Sequence, residues 1–380
     1  MLDLSRVVSG PLCGRLLADL GADVVKVEPP DGDNTRKVPP LVDGRSAYFA
    51  QMNSGKRSLC VDLKRDGAID VVARLADRSD VLIENFRPGV LARMGLGSDD
   101  LRGRNPRLVY CSITGWGQEG PWRDRRAYAP LVHAEVGTLE FAARMRGRPA
   151  EQEVHIHGDV YPALIAANAV VAALYQRSVT GVGQHLDVAM GEVMPYVSEW
   201  TAVELQHHDG DRGGFDIWTH HVFHTVGGVG VALVGNPTRL LPAWLKALGG
   251  DESLLEDERF ASEAARVEHK DATLAVLADL VRTFPDFASI EVAVDGWPML
   301  VAEVRSVTDL AATSWAEHRG LVADALPGLP VPAAAWRSDG ATVGLSGPPP
   351  RLGEHGRSVL HDAGYTDAEI DELVRTAAVL

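Results

Sequence analysis

Two hydrophobic periods alternate through the first half of the chain. Residues 2–8 read as a strand that starts abruptly, as if its first residues were missing. Pro11 and Gly14 then introduce a helix with Leu12, Leu16 and Leu20 at i, i+4 and i+8, closed by Gly21. Val24-Val25-Lys26-Val27 forms the next strand and stops at Pro29 and Pro30. A helical pattern near 68–78 leads to the strand Val81-Leu82-Ile83, and a strand at 108–113 runs into the turn Thr114-Gly115-Trp116-Gly117. Strands and helices in alternation predict an α/β fold: a parallel, doubly wound, Rossmann-like sheet with ligands at the carboxyl ends of its strands.

An apolar pattern over 160–177, hydrophobic nearly all round, predicts a buried helix, broken by Gly181 and Gly183 before a strand at 184–190. The polar stretch 206–214 marks a linker, placed at 196–214. Beyond it, a hairpin-like run at 222–234 and helices near 240–248 and 262–284 predict a smaller α+β domain over 215–325. Val226-Gly227-Gly228-Val229-Gly230 reads as a turn, since its spacing fits no nucleotide loop. Residues 326–350, rich in Pro and Gly, form a second linker. Residues 351–380, with a helix opening at Thr366, complete the large domain begun by 1–195.

The 380 residues are 46% hydrophobic and 23% charged, ordinary for a globular protein of two domains. With 37 basic against 52 acidic residues the net charge is −15, so neither nucleic acid nor an anionic membrane is an expected partner. The three cysteines, Cys13, Cys60 and Cys111, lie far apart without metal spacing, which fits reduced thiols in a cytoplasmic protein. The N-terminus lacks the pattern of a signal peptide, and no uninterrupted apolar run approaches membrane length. GxGxxG before a helix, GxxxxGK[ST], GxSxG and HExxH are all absent. Adjacent histidines, His207-His208 and His220-His221, would point opposite ways on a strand, so no metal site is expected there.

Candidate chemistry begins with Lys56, Arg57, Lys64, Arg87, Arg93 and Arg126, basic residues near strand ends and loops where phosphate groups bind. Phe86, in the loop Asn85-Phe86-Arg87-Pro88-Gly89, offers a ring for a base to stack on. Solvated surface arginines would give the same pattern. Asp159, ahead of Val160, Tyr161 and Pro162, fits a helix N-cap. The same position suits a carboxylate held ionised by the helix dipole, beside amides able to stabilise an oxyanion. Glu28, Glu84 and Glu135 are rival acids.

Several long, ordered segments decide between these readings. They are Leu2-Asp3-Leu4-Ser5-Arg6-Val7 with Gly10-Pro11, Leu17-Ala18-Asp19-Leu20-Gly21-Ala22-Asp23-Val24-Val25-Lys26-Val27-Glu28, and Gly55-Lys56-Arg57-Ser58-Leu59. Glu84-Asn85-Phe86-Arg87-Pro88-Gly89-Val90-Leu91 and Arg93-Met94-Gly95-Leu96-Gly97 follow. In these the chain resembles the family III CoA-transferases, a group that includes the 2-methylacyl-CoA racemases. The resemblance implies a large domain built from both chain ends, a small domain from the middle, and an interlocked homodimer. It implies CoA and acyl-CoA as substrates, with a small carboxylic acid as acceptor and no tightly bound cofactor or metal. Asp159 matches the catalytic aspartate. Val7, Lys64, Arg93, Met94 and Arg126 fall where relatives contact CoA, with Asn85, Phe86 and Arg87 in the same loop, and Tyr128 joins this implied CoA-binding set. The reaction so implied runs through mixed anhydrides and an aspartyl-CoA thioester, splitting one hard exchange into easier steps.

Departures from the family pattern sharpen this. Racemases carry a histidine where this chain has Tyr128, and a glutamate before a proline where it has Asn236-Pro237. Racemisation needs two acid/base groups, so Asp159 is expected to act alone, as a nucleophile. Some transferases have a glutamine where this chain has Val8, and Arg212-Gly213-Gly214 is all that resembles their Gly-rich loop. Tyr161 and Pro162 replace small residues, and Tyr161, Trp200 and Trp218 suggest aromatic walls. The reading is a CoA-transferase acting on an acyl-CoA donor and a carboxylic acid acceptor. The alternatives are a racemase or epimerase and a non-catalytic acyl-CoA-binding homologue.

Overall fold

The computed structural model describes residues 1–206 and 221–380. His207, His208, Arg212, Gly213, Gly214, Trp218 and His220 lie outside the described residues. The chain divides into two compact units, one of Met1–Glu204 with His318–Leu380 and one of Leu205–Glu317.

The first unit is built on six parallel strands: β1 (Leu2–Asp3), β2 (Val25–Glu28), β3 (Arg57–Cys60), β4 (Val81–Glu84), β5 (Val109–Thr114) and β6 (His185–Ala189). Their order across the sheet is β3-β2-β1-β4-β5-β6. The order therefore reverses between β1 and β4, leaving a crevice at their carboxyl ends. Helices α1 (Ser9–Asp19) and α7 (His157–Thr180) cover one face, in a core containing Cys13, Ile83, Cys111, Ala163 and Val170. On the other face α3 (Ala68–Asp77), α4 (Ser98–Arg104) and the C-terminal helices Gly356–Asp362 and Asp367–Arg375 pack around Leu59, Leu82, Tyr110, Leu360 and Ile370. Thr366 caps the last helix in a capping box with Glu369, where the sequence placed its start. A hairpin of Val322–Leu326 and Leu329–Pro332 belongs to this unit and packs on α2 (Ala47–Asn53). All three cysteines are buried and unbridged.

α7 differs from its expected burial. Only one stripe is covered (Gly158, Pro162, Ala163, Ala166, Val170 and Ala173), small residues at helical spacing that let α1 and the sheet approach closely. On the other side Leu164, Val171, Tyr175 and Val179 are exposed. At 24 residues and a mean hydropathy of 1.3, α7 is long and apolar enough to cross a membrane by length and composition alone.

In the second unit an antiparallel sheet of Val222–His224, Gly230–Val234 and Leu300–Glu303 packs on helices Pro237–Ala247 and Lys270–Arg282 around Trp244, Leu241 and Leu277. Residues 226–229 are the hairpin turn, as their spacing indicated.

A parallel sheet covered on both faces should be apolar, yet charged side chains are buried on β1 and β2 and just before β3. Lys56, just before β3, is 3% exposed and donates from Nζ to Asp3 Oδ2 (2.7 Å), the Pro11 carbonyl (2.8 Å) and Asn53 Oδ1 (2.9 Å). All three ammonium protons are thus satisfied. Lys26, fully buried on β2, donates to the Ser5 carbonyl (2.9 Å) and pairs with Asp33 at 3.3 Å. Burial alone would raise the Asp3 pKa; Lys56 and Lys26 outweigh it and hold the carboxyl below the usual range. Glu28, at the end of β2, accepts from both Arg36 (2.6 and 2.7 Å) and the Asp33 amide (3.0 Å).

Removing one partner of such a pair leaves an uncompensated buried charge. Lys56→Met is expected to lower the unfolding free energy by about 3–5 kcal/mol at pH 7, measured by urea denaturation. A loss below about 1 kcal/mol would show that Asp3 finds another counter-charge.

Candidate active site

The loop after β1 turns sharply at Val7, whose φ of 70° puts a β-branched residue in the left-handed region. Its amide donates to Asp33 Oδ2 (3.1 Å), so the carboxylate that pairs Lys26 also holds this strained turn. Gly10 lets α1 begin directly behind it: a Cβ there would sit 2.1 Å from Ser5 Cβ. Asn85, following β4, joins the two loops across the reversal point. It accepts the Arg6 amide (2.8 Å) and donates to the Arg6 carbonyl (2.8 Å) and Ser9 Oγ (3.2 Å).

Around this stitch lies a cleft of about 290 Å³. Its walls come from the loops after β1 (Arg6, Val7, Ser9), β4 (Asn85, Phe86, Arg87, Pro88) and β5 (Thr114, Gly115), and from Met190 after β6. Asn34, Ile113, the segment from Arg125 to Tyr128, and Asp159 complete the lining. Gly115 permits that segment's approach, since a Cβ there would lie 2.1 Å from Ala127 Cβ. Arg6 lies over the Phe86 ring at 5.6 Å, while Arg87 and Arg126 have no carboxylate partner among the described residues. In a chain of net charge −15, guanidiniums left unpaired at one cleft suit an anionic ligand.

Asp159 does not cap α7. The cap position is Ile156, and Asp159 stands in the first turn behind it. Its carboxylate accepts from the amide of Ala129, the first residue of α5 (Ala129–Glu135), so two helix N-termini converge on it. The positive helix end was expected to keep this acid readily ionised. Instead burial dominates over the Ala129 hydrogen bond and pushes its pKa up to about 6. Tyr48 stands close enough for Asp159, with burial, to raise its phenol pKa.

The rival acids are engaged elsewhere. Glu28 is bound by Arg36, and Glu135 pairs with Arg125. Glu84 is buried, which raises its pKa to about 7, and accepts the Phe86 amide (2.8 Å). It thereby supports the cleft loop without lining it.

Of the sequence candidates, the cleft brings together Asp159, Val7, Asn85, Phe86, Arg87, Arg126 and Tyr128. Lys64, Arg93 and Met94 are exposed outside its lining, Arg93 within 3.3 Å of where a Gly89 Cβ would be. Two of the basic set have structural partners: Lys56 holds Asp3, and Arg57 pairs with Asp23 (2.5 Å) and Asp362 (2.6 Å). Tyr161, two residues beyond Asp159, turns to the opposite side of α7. It stacks on His157 at 5.0 Å and borders a separate cavity of about 200 Å³. Trp200 packs on Phe141 at 5.9 Å. Arg6, Ser9 and Arg125 line the cleft without having been singled out. Arg6 and Ser9 could have been found as neighbours of Val7 on the loop after β1. Among the described residues no group of three or more His, Cys, Asp or Glu side chains gathers as a metal ion would need.

The family described as CoA-transferase family III matches residues 1–356. The chain belongs to that family. This CoA-transferase is 32% identical to the succinate–glutarate CoA-transferase of Agrobacterium fabrum, over 99% of this chain and 96% of that one. It is 31% identical to the acetyl-CoA:oxalate CoA-transferase of Acetobacter aceti, over 97% and 96% of the two chains. The crystal structure of a CAIB/BAIF family protein from Brucella suis matches with a TM-score of 0.85 at 30% identity, covering 95% of this chain and 97% of that one.

A raised folded-state pKa has a defined effect on stability. The relative stabilisation of the protonated acid is present below the unfolded pKa, about 4, and lost as pH rises through about 6. Asp159→Asn, which mimics the protonated form, should therefore match the parent near pH 4. Above pH 6 it should be more stable, on the order of 1 kcal/mol, in thermal melts across that range. Equal stability at pH 7.5 would mean that the carboxylate is not desolvated.

Proposed function

We propose that this CoA-transferase moves CoA from an acyl-CoA donor to a carboxylic acid acceptor through an aspartyl-CoA thioester on Asp159. The supporting observation is the position of Asp159: a desolvated carboxylate, held by one backbone amide, in the cleft that gathers Arg6, Arg87 and Arg126. In this reading those arginines take the CoA phosphates, and Phe86, beneath Arg6, receives the adenine.

An Asp159 oxygen attacks the donor thioester carbon and the C–S bond breaks. This gives a mixed anhydride and CoA thiolate. The thiolate attacks the Asp159 Cγ, a C–O bond breaks, and the donor leaves as a carboxylate. The acceptor carboxylate attacks the aspartyl thioester, and CoA thiolate then attacks the acceptor acyl carbon of the new anhydride. Acyl-CoA and free Asp159 result, with no net proton change. The Ala129 amide that holds the carboxylate can hold the aspartyl carbonyl oxygen as charge develops on it. Racemisation would need a second acid/base group. Asn236 is a carboxamide, and its Oδ1 accepts the Thr238 (2.9 Å) and Arg239 (3.3 Å) amides as the cap of its own helix.

The exposed apolar face of α7 supports an interlocked homodimer as the assembly, and the unbridged cysteines support a cytoplasmic location.

Incubation with an acyl-CoA followed by hydroxylamine should convert Asp159 to its hydroxamate, located by peptide mass spectrometry. Asp159→Ala should lose transfer by at least about 10³-fold. The kcat/KM profile should fall below an apparent pKa near 6, because only the ionised acid attacks. Label on another residue, or transfer surviving in Asp159→Ala, would remove Asp159 from the reaction.

A further inference from the structure

An acid in the first turn of a helix usually spends itself on that helix, accepting its orphan amides. Asp159 is spared this. The Gly158 amide donates instead to His133 Nε2 (2.8 Å), a side chain of α5 that is 1% exposed. Ala129 and His133 lie four residues apart on one face of α5. That helix therefore holds α7 at two adjacent points: His133 takes the Gly158 amide and Ala129 takes the Asp159 carboxylate. The fit allows no slack, for a Cβ on Gly158 would come 3.1 Å from Ala129 Cα and 3.2 Å from the His133 ring.

The ring's protonation follows from the geometry. Nε2 accepts, so in the neutral imidazole the proton is on Nδ1. Nδ1 is buried without a partner, a cost that packing alone does not account for. Methionine, apolar and of similar length, would fill the space without it.

We propose that His133 is a positioning residue for Asp159, capping α7 from the neighbouring helix so that the nucleophilic carboxylate is left to face the cleft. The proposal rests on Asp159 being the nucleophile. His133 itself touches no reacting atom.

Two variants test it. His133→Met removes the acceptor and keeps the bulk; His133→Gln keeps an acceptor oxygen. With the full chain and one acyl-CoA/acid pair, His133→Met should lose kcat on the order of 10²-fold, with KM for acyl-CoA within about twofold. His133→Gln should recover to within about fivefold of the parent, and both should melt as cooperatively as the parent. The idea is overturned if His133→Met keeps kcat, if His133→Gln is as impaired as His133→Met, or if KM carries the loss. It is overturned equally if His133→Met fails to fold while His133→Gln is fully active, which would make the residue a matter of stability alone. Independently of turnover, ¹⁵N NMR should find Nε2 unprotonated at neutral pH, and ¹³C-carboxyl titration should find the Asp159 pKa altered in His133→Met. If wild-type protein forms no aspartyl adduct, the proposed reaction fails, while these two titrations still decide the positioning role. An unchanged Asp159 titration would refute it.

Discussion

Two buried lysine ammonium groups, one from β2 and one from just before β3, set the geometry on which this molecule depends. Lys56 joins β1, α1 and α2 through Asp3, the Pro11 carbonyl and Asn53, and Lys26 joins β2 to the loop after β1 through Asp33 and the Ser5 carbonyl. Neither charge could remain buried unpaired, so each fixes the backbone supplying its acceptors. The same Asp33 carboxylate holds the Val7 amide in its left-handed turn. The cleft floor is therefore placed by a saturated network and not by loop packing. Burying these ions is expensive, and apolar residues could stabilise the sheet as well. What the network provides is a single register for the loops on which the cleft-lining Arg6 and Arg87 stand.

From that floor the site is assembled by approach. Asn85 ties the β4 loop to the β1 loop, Gly115 admits the segment carrying Arg126 and Tyr128, and Gly158 admits α5 against α7. Each of these positions answers to backbone proximity. The charged groups then divide by burial. Arg87 and Arg126 stay exposed, while Arg6 and Asp159 are half-buried and the Asp159 carboxylate loses part of its hydration.

Much of this was legible in the sequence. The alternating periods gave β2, β4, β5 and β6 to within a residue, whereas the strand expected over 2–8 is only Leu2–Asp3 and β3 had no reading, because its short run Arg57–Cys60 shows neither clear period. Asn85, Phe86, Arg87 and Arg126 could be chosen because they follow strands. The remainder depended on contacts between distant segments. Local sequence offers Asp159 as a cap; only the crossing of α5 shows that His133 has taken that task. Lys56 and Arg57 resemble phosphate ligands until the folded sheet supplies Asp3, Asp23 and Asp362. The apolar run of α7 looked buried all round, whereas its small residues define one covered stripe and leave Leu164, Val171 and Tyr175 outside. Tyr161 suggested a wall of the reactive cleft, but two residues along a helix is more than half a turn, which carries it to the other side.

The desolvation of Asp159 also bears on how a mixed anhydride there would divide. Thiolate can attack either carbonyl, and the carboxylate that departs more readily is the one derived from the stronger acid. A hydrated carboxylic acid side chain has a pKa of about 4, against about 6 for Asp159 in its folded surroundings. A donor carboxylate that departs toward the open side of the cleft is therefore expelled more easily than Asp159, whose own site disfavours its charge. The same burial that makes Asp159 a better base toward carbon makes it a poorer leaving group. In the proposed reaction it biases each anhydride toward keeping the bond to the enzyme, so the return of product to the acceptor depends on how firmly the cleft holds the departing CoA.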